Sequence, residues 1–329
     1  MSLHSPTAVV PDSRGIGEFS VVEALPEVIV VAFAAVTHLA DPWFLFGLLA
    51  VVYWFGDDRI APHPRRAGAT AIAVVAAGYA AVALGKAATT AARPPAAAGP
   101  IDIPAWLPGV LGAWYEGQLV SDGFGFPSGH ATGAVVAYGV LALVVTELGT
   151  PRRRYTAAVG IALAVVLSRV VIEVHYLVDV VAGVVVGATV LGAGLWLAGD
   201  PRIRGRSKRT GRSWLDPTPV FALAAAVSTA ALAATVAGGH TDEVVEAGIG
   251  VATGIGGVIG WRLVDGNEAA VPVRIALPTL VLTGGLWVGA YTLAGSLPVA
   301  LAATTAAVAT VVAVPALSER IERRFDARS

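Results

Sequence analysis

The strongest constraint on this chain is a series of apolar stretches, each near the length of a membrane-crossing helix, separated by short loops that hold most of the charge. Crossing the hydrocarbon core as a helix takes about 20 apolar residues. Stretches of that kind fall at 66–87, 129–148, 154–172 and 177–198, and again at 218–237, 243–263, 273–294 and 297–316. Ahead of them, residues 41–55 (DPWFLFGLLAVVYWF) form a short span, preceded at 25–40 by an apolar stretch marked by Pro26 and His38 and closed by Asp41. The two are together too short for two spans. A helix lying at the membrane interface and then one span, or a single long bent helix, is expected.

The fold expected is all-α: a polytopic membrane helical bundle of nine transmembrane helices, five of them in a core at 25–198 and four in a carboxyl-terminal extension at 218–329. Residues 1–24 form an extramembrane segment, and 199–217, within DPRIRGRSKRTGRSWLDPTP, a basic cytoplasmic linker. With 14% charged residues, the chain is far from the roughly 25% of a soluble domain. A net charge of -1 argues against nucleic acid as a partner. The absence of cysteine excludes disulfides, iron–sulfur clusters, zinc–thiolate sites and cysteine nucleophiles. The first 20 residues hold neither a basic nor an apolar signal region, so the first membrane helix is expected to serve as the targeting signal.

Basic residues are retained on the cytoplasmic side of a membrane, and 18 of the 22 lie in alternate loops: 56–66, 151–155, 199–217, 262–274 and the tail SERIERRFDARS. This layout puts the amino terminus outside and the carboxyl terminus in the cytoplasm. Arg14, Lys86, Arg93 and Arg169 fall on the opposite, outer face.

Three clusters on that face could carry chemistry. In S-R-V-V-I-E-V-H-Y-L-V-D (168–179), His175 and Asp179 are four residues apart. On a helix the carboxylate can accept a hydrogen bond from one ring nitrogen and leave the other free as a nucleophile. Arg169, six residues before His175, would point another way on a straight helix, so a helix end or turn is expected between them. Asp179 could equally cap the span that follows it. In G-F-P-S-G-H (125–130), Ser128 is placed to N-cap a helix whose free amides and dipole form an anion site beside His130, with Gly129 allowing close approach. Lys86 and Arg93-Pro94 form the third cluster and taken alone read as interfacial anchors. Ionisable groups in apolar segments cost on the order of 2.5–3.5 kcal/mol each near the bilayer centre, so gathering this many on one side calls for a common purpose.

Together, K-x6-R-P (Lys86, Arg93, Pro94), P-S-G-H (Pro127 to His130) and S-R-x5-H-x3-D (Ser168, Arg169, His175, Asp179) resemble the three-part signature of the type 2 phosphatidic acid phosphatase and vanadium haloperoxidase superfamily. The resemblance covers roughly residues 25–198. It implies that Lys86, Arg93 and Arg169 hold phosphate oxygens, with Ser128 and the Gly129 amide completing the cradle. His175, oriented by Asp179, would attack phosphorus, and His130 would protonate the leaving oxygen and then activate water. Three cations and a helix end can stabilise the equatorial oxygens without a metal or other cofactor.

The outer loop 94–127, with Trp106, Trp114 and Tyr115, is either an interfacial anchor or a lid over a lipid tail. Glu116, Asp122 and Glu173 are nearby acids to which no chemistry is assigned. Small-residue pairs Gly183/Gly187, Gly250/Gly254 and Gly256/Gly260 point to close helix packing, and His240, Asp242 and Glu243 to an outer turn in an extension of unassigned role. The function expected is an integral membrane phosphatase acting at the outer face on a phosphorylated lipid, with membrane lipids around it and oligomerisation possible. Two other classes share the cradle: a vanadate-dependent haloperoxidase, and a non-enzymatic module that binds or transports a phosphorylated lipid.

Overall fold

The computed structural model describes residues 14–200, 215–264, 266, 268–293 and 296–326, and every regular element among them is a helix. Residues 1–13 of the amino-terminal segment, residues 201–214 of the basic linker and residues 327–329 of the tail lie outside the described residues. In chain order the helices are α1 (Phe19–Val22), α2 (Glu27–Val36), α3 (Pro42–Phe55), α4 (Pro64–Thr89), α5 (Gly109–Leu119) and α6 (Gly129–Val144). They continue as α7 (Pro151–Val171), α8 (Leu177–Ala198), α9 (Thr218–Ala237), α10 (Val244–Val264), α11 (Val273–Leu293) and α12 (Leu297–Asp326).

Six of these are long and apolar enough to cross a membrane: α4, α7, α8, α9, α10 and the Leu297–Arg320 part of α12. The chain is thus a multi-pass membrane protein. Nine spans are not shown. The stretch expected at 129–148 gives a helix only as far as Val144, because Glu147, Gly149 and Pro151 follow and Thr150 caps the next helix. The stretch at 273–294 forms α11, a helix over Val273–Leu293 with Pro278 inside it, of which Val273–Gly289 is a shorter apolar part among the described residues. Residues 27–55 reach a span's length only as a pair, α2 with the 3-10 turn Thr37–Ala40 and then α3, bent by 50°. Asp41 precedes Pro42, which disfavours the helical region for it. It is accordingly extended, at φ -61° and ψ 139°.

The bundle is organised around α4, which packs against α3, α6, α8, α9 and α10. Its sequence, rich in Ala and Gly, lets neighbours approach on every side, and most of its length is buried. One hydrophobic core joins the two halves of the chain, with Tyr53, Trp54, Val74 and Val136 in the same buried cluster as Phe221, Trp261 and Val312. Two helix ends are drawn together by a glycine: a Cβ on Gly183 of α8 would stand 2.7 Å from the Ser128 carbonyl at the start of α6. Apolar side chains such as Val159 and Leu163 on α7, and Val281 and Leu282 on α11, face outward. Lipid is the solvent that suits such faces.

Candidate active site

The first site element is a helix end. α7 stops at Val171, and Glu173 adopts φ +57°, a left-handed conformation usually left to glycine. The Val174 amide donates to the Arg169 carbonyl (3.3 Å) and the Glu173 amide to the Val170 carbonyl (3.0 Å), which closes the helix in a Schellman motif. The expected turn between Arg169 and His175 is therefore present, and Glu173 has a structural role in it. The turn brings His175 back so that its own amide donates to the Arg169 carbonyl (3.2 Å). Arg169 sits in the last turn of α7, where the dipole favours a cation, and its guanidinium donates to Thr37 Oγ1 (2.5 Å).

His175 is 2% exposed and its Nε2 lies 3.0 Å from Arg93 Nη1. A guanidinium can only donate, so Nε2 is the accepting nitrogen and the ring proton belongs on Nδ1. Burial, and after it the charges of Arg169 and Arg93, hold His175 well below the ordinary histidine pKa. It is a neutral base with its lone pair on Nε2.

Asp179 differs from the expectation drawn from spacing. Its Oδ2 is 3.5 Å from His175 Nδ1, an ion-pair distance at which no hydrogen bond forms. The carboxylate is already engaged: Oδ2 accepts from the Tyr176 amide (3.0 Å), while the Asp179 amide donates to the Tyr176 carbonyl (3.0 Å), capping α8. Oδ1 accepts from Arg14 Nη2 (3.0 Å). The reason is that His175 lies ahead of α8, so the i,i+4 geometry of a continuous helix does not apply.

The second element is the start of α6. Ser128 is its N-cap, with Oγ accepting from the Ala131 amide (3.4 Å), and the Ser128 amide donates to the Asp179 carbonyl (3.0 Å). Ser128, Gly129 and His130 thus stand beside the start of α8. His130 Nε2 donates to Asp41 Oδ1 (3.0 Å), a partner 89 residues away in sequence. Arg93 is held over this junction by the carbonyls of Asp122 (2.8 Å) and Val174 (3.2 Å).

Lys86 ends α4 on the same side, with Nζ 3.6 Å from Glu246 Oε2 of α10. It lines a small cleft shared with Thr235, Glu243 and Glu246. The extension also touches the loop before α6: Glu243 Oε1 accepts from the Phe124 amide (3.3 Å), and the His240 and Phe124 rings meet edge to face at 4.9 Å. Leu107 and Tyr115 of the 94–127 loop share a buried cluster with Ala34 and with Ile172 and Val174 of the His175 turn. Trp106 donates to Glu27 Oε2 (2.9 Å), and Trp114 to His38 Nε2 (2.8 Å). Glu116 is exposed, and Asp122 offers its carbonyl to Arg93.

The eight residues singled out from the sequence therefore lie at one end of the bundle. Sequence reasoning did not assign Arg14, Thr37, His38, Asp41 or Glu246 to the site. The available signals were a basic residue on the face where few occur (Arg14) and polar residues inside an apolar stretch (His38, Asp41). Among the described residues, no group of three or more His, Asp or Glu could hold a metal ion.

Residues 67–203 match the family model of the PAP2 superfamily, so the chain carries a PAP2 superfamily domain across α4 to α8. No curated protein and no solved structure matches the chain.

Proposed function

We propose that this domain makes the chain an integral membrane phosphatase that hydrolyses a lipid phosphomonoester or a polyprenyl diphosphate through a phosphohistidine. The superfamily's members are generally phosphoester hydrolases. The observation that carries the reading is the contact from Arg93 to Nε2 of a buried, neutral His175, which sets a nucleophile's lone pair against a cation able to move onto phosphate.

Substrate enters between the two groups. Arg93, Arg169 and Lys86 take the non-bridging oxygens, with Ser128 and the amides that open α6 completing the cradle. Nε2 attacks phosphorus in line, the bond to the leaving oxygen breaks, and its electron pair is met by a proton from His130. Water then attacks the phosphohistidine while His130 takes its proton; the P–N bond breaks, the electron pair returns to Nε2 and phosphate leaves. The fixed cations stabilise the charge on the equatorial oxygens in both steps, so no metal ion is needed.

The apolar outer loop, packed onto the His175 turn, suits a substrate whose tail stays in the membrane. The distribution of basic residues supports a cell-membrane location with the site and amino terminus outside and the carboxyl terminus in the cytoplasm.

Phosphate release by the detergent-purified protein, with chelator present, from polyprenyl diphosphate, phosphatidate and a soluble phosphate ester tests the function. Release that disappears in His175→Ala is expected. Absence of release from all three, with phosphorylated lipid still bound, would overturn it. A cysteine placed at Arg153 should resist an outward, membrane-impermeant label; labelling would reverse the orientation.

A further inference from the structure

Resting on the phosphatase reading, we propose that Asp41 is a positioning residue for His130. Its carboxylate fixes which ring nitrogen faces the leaving oxygen and stabilises the imidazolium that forms in each turnover.

Asp41 stands at the N-cap of α3, yet its side chain caps nothing. Pro42, which follows it, has no N–H to offer. The carboxylate is turned instead toward the site, where Oδ1 accepts from His130 Nε2 (3.0 Å) and Oδ2 accepts from His38 Nδ1 (2.5 Å) and Trp43 Nε1 (2.9 Å). Trp114 can only donate, so His38 Nε2 is an acceptor and the proton of that ring sits on Nδ1. His38 and Trp43 therefore share Oδ2, and Oδ1 is left to His130.

The bend that presents Asp41 is fixed from three helices. Tyr79 of α4 donates to the Ala40 carbonyl (3.2 Å), Tyr138 of α6 to the Leu39 carbonyl (2.6 Å), and Arg169 of α7 to Thr37. With Nε2–H committed to Asp41, Nδ1 of His130 is the nitrogen left to give and take the substrate proton. A carboxylate in this relation holds the tautomer and lowers the energy of the charged ring.

The test separates the two chemical steps. On phosphatidate, whose alkoxide leaving group needs a proton, Asp41→Asn should lower turnover about 100-fold, the lower range for a general acid–base contribution. On nitrophenyl phosphate, whose leaving group needs none, the first equivalent of nitrophenolate should still appear quickly. Turnover should then stall, with base-stable phosphohistidine accumulating on His175. Asp41→Glu, which keeps the charge, should regain part of the loss on phosphatidate and serves as the readout if the Asn variant unfolds early. A purely structural role would slow both esters alike, with no burst and no trapped phosphohistidine. That result, or unchanged phosphatidate turnover, overturns the proposal. Failure of the parent protein to release phosphate, or release that survives His175→Ala, would instead sink the phosphatase reading on which it rests.

Discussion

Two histidines border the same cradle, each with a carboxylate close by, and the two pairs are built in different ways. His175 and Asp179 are neighbours in sequence, yet the carboxylate spends its hydrogen bonds on the start of α8 and on Arg14. His130 and Asp41 come from different helices and make a direct 3.0 Å bond. His175, the proposed nucleophile, is held neutral by burial and by the cations around it. For His130, the proposed acid–base residue, burial and Arg169 disfavour the charged ring, and the bonded Asp41 carboxylate offsets part of that cost. Nearness in sequence was a poor guide to which pair is bonded.

The sharpest way to break this comparison is to delete each ring. His175→Ala should abolish turnover of every ester, since no other group can take the phosphoryl group. His130→Ala should cost on the order of 10²–10⁴-fold on phosphatidate and much less in the first turnover of nitrophenyl phosphate, as read by rapid-mixing kinetics. Equal losses on both esters would dissolve the distinction between nucleophile and acid.

Next in size is the capping role of Asp179, the third residue of α8, whose carboxylate accepts from the Tyr176 amide; an Asn side-chain oxygen can also accept there and Ala cannot. Asp179→Asn should therefore melt close to the parent in detergent and keep a residual rate, whereas Asp179→Ala should lose both stability and rate. A parental rate for Asp179→Asn would show that its charge does nothing for His175.

The pH dependence sharpens the contrast further. Burial, with Arg169 and Arg93, lowers the pKa of His175, so the ring stays neutral as pH falls past the ordinary histidine value of about 6.5. The acid limb of kcat/KM contributed by the nucleophile should lie below that value. In Arg93→Gln, one of the cations that disfavour protonation is gone and the limb should move to higher pH. A shift to lower pH would contradict the assignment.

The smallest effect is expected at Glu246, which is more than half exposed and 3.6 Å from Lys86. Exposed pairs are weak and screened by salt. Glu246→Gln should lower KM a few-fold at low ionic strength, by about the factor such a pair is worth, and the difference should fade as salt is added. A raised KM would mean that the carboxylate helps Lys86 into place.

Much of the architecture could be read from the chain because lipid imposes a simple length rule. Every apolar stretch became a helix, and the turn after Arg169 followed from where the polar residues had to point. The count of spans was less legible: a hydropathy run does not reveal where a cap such as Thr150, or a glycine and a proline, will end the helix inside it. Ordered motifs picked out residues that the fold gathers at one end of the bundle, but their partners were hidden by distance along the chain. Asp41 meets His130 only because Pro42 breaks a helix and Tyr79 and Tyr138 hold the break. Glu246 meets Lys86 only because α9 and α10 lie against α4.

Tyr53 and Trp54 of α3 donate their side-chain hydrogens to the carbonyls of Val312 and Val311 in α12. Helix α3 thus finds these partners in a helix more than 250 residues further along the chain. Until α12 has entered the membrane, a hydroxyl and an indole N–H wait in hydrocarbon without acceptors, and the helix pair that carries Asp41 lacks its final support. Support for the helix pair that carries Asp41 therefore reaches beyond the PAP2 domain, into α12. A stop codon between residues 297 and 311 should yield a protein that inserts, melts earlier in detergent than the parent and releases less phosphate.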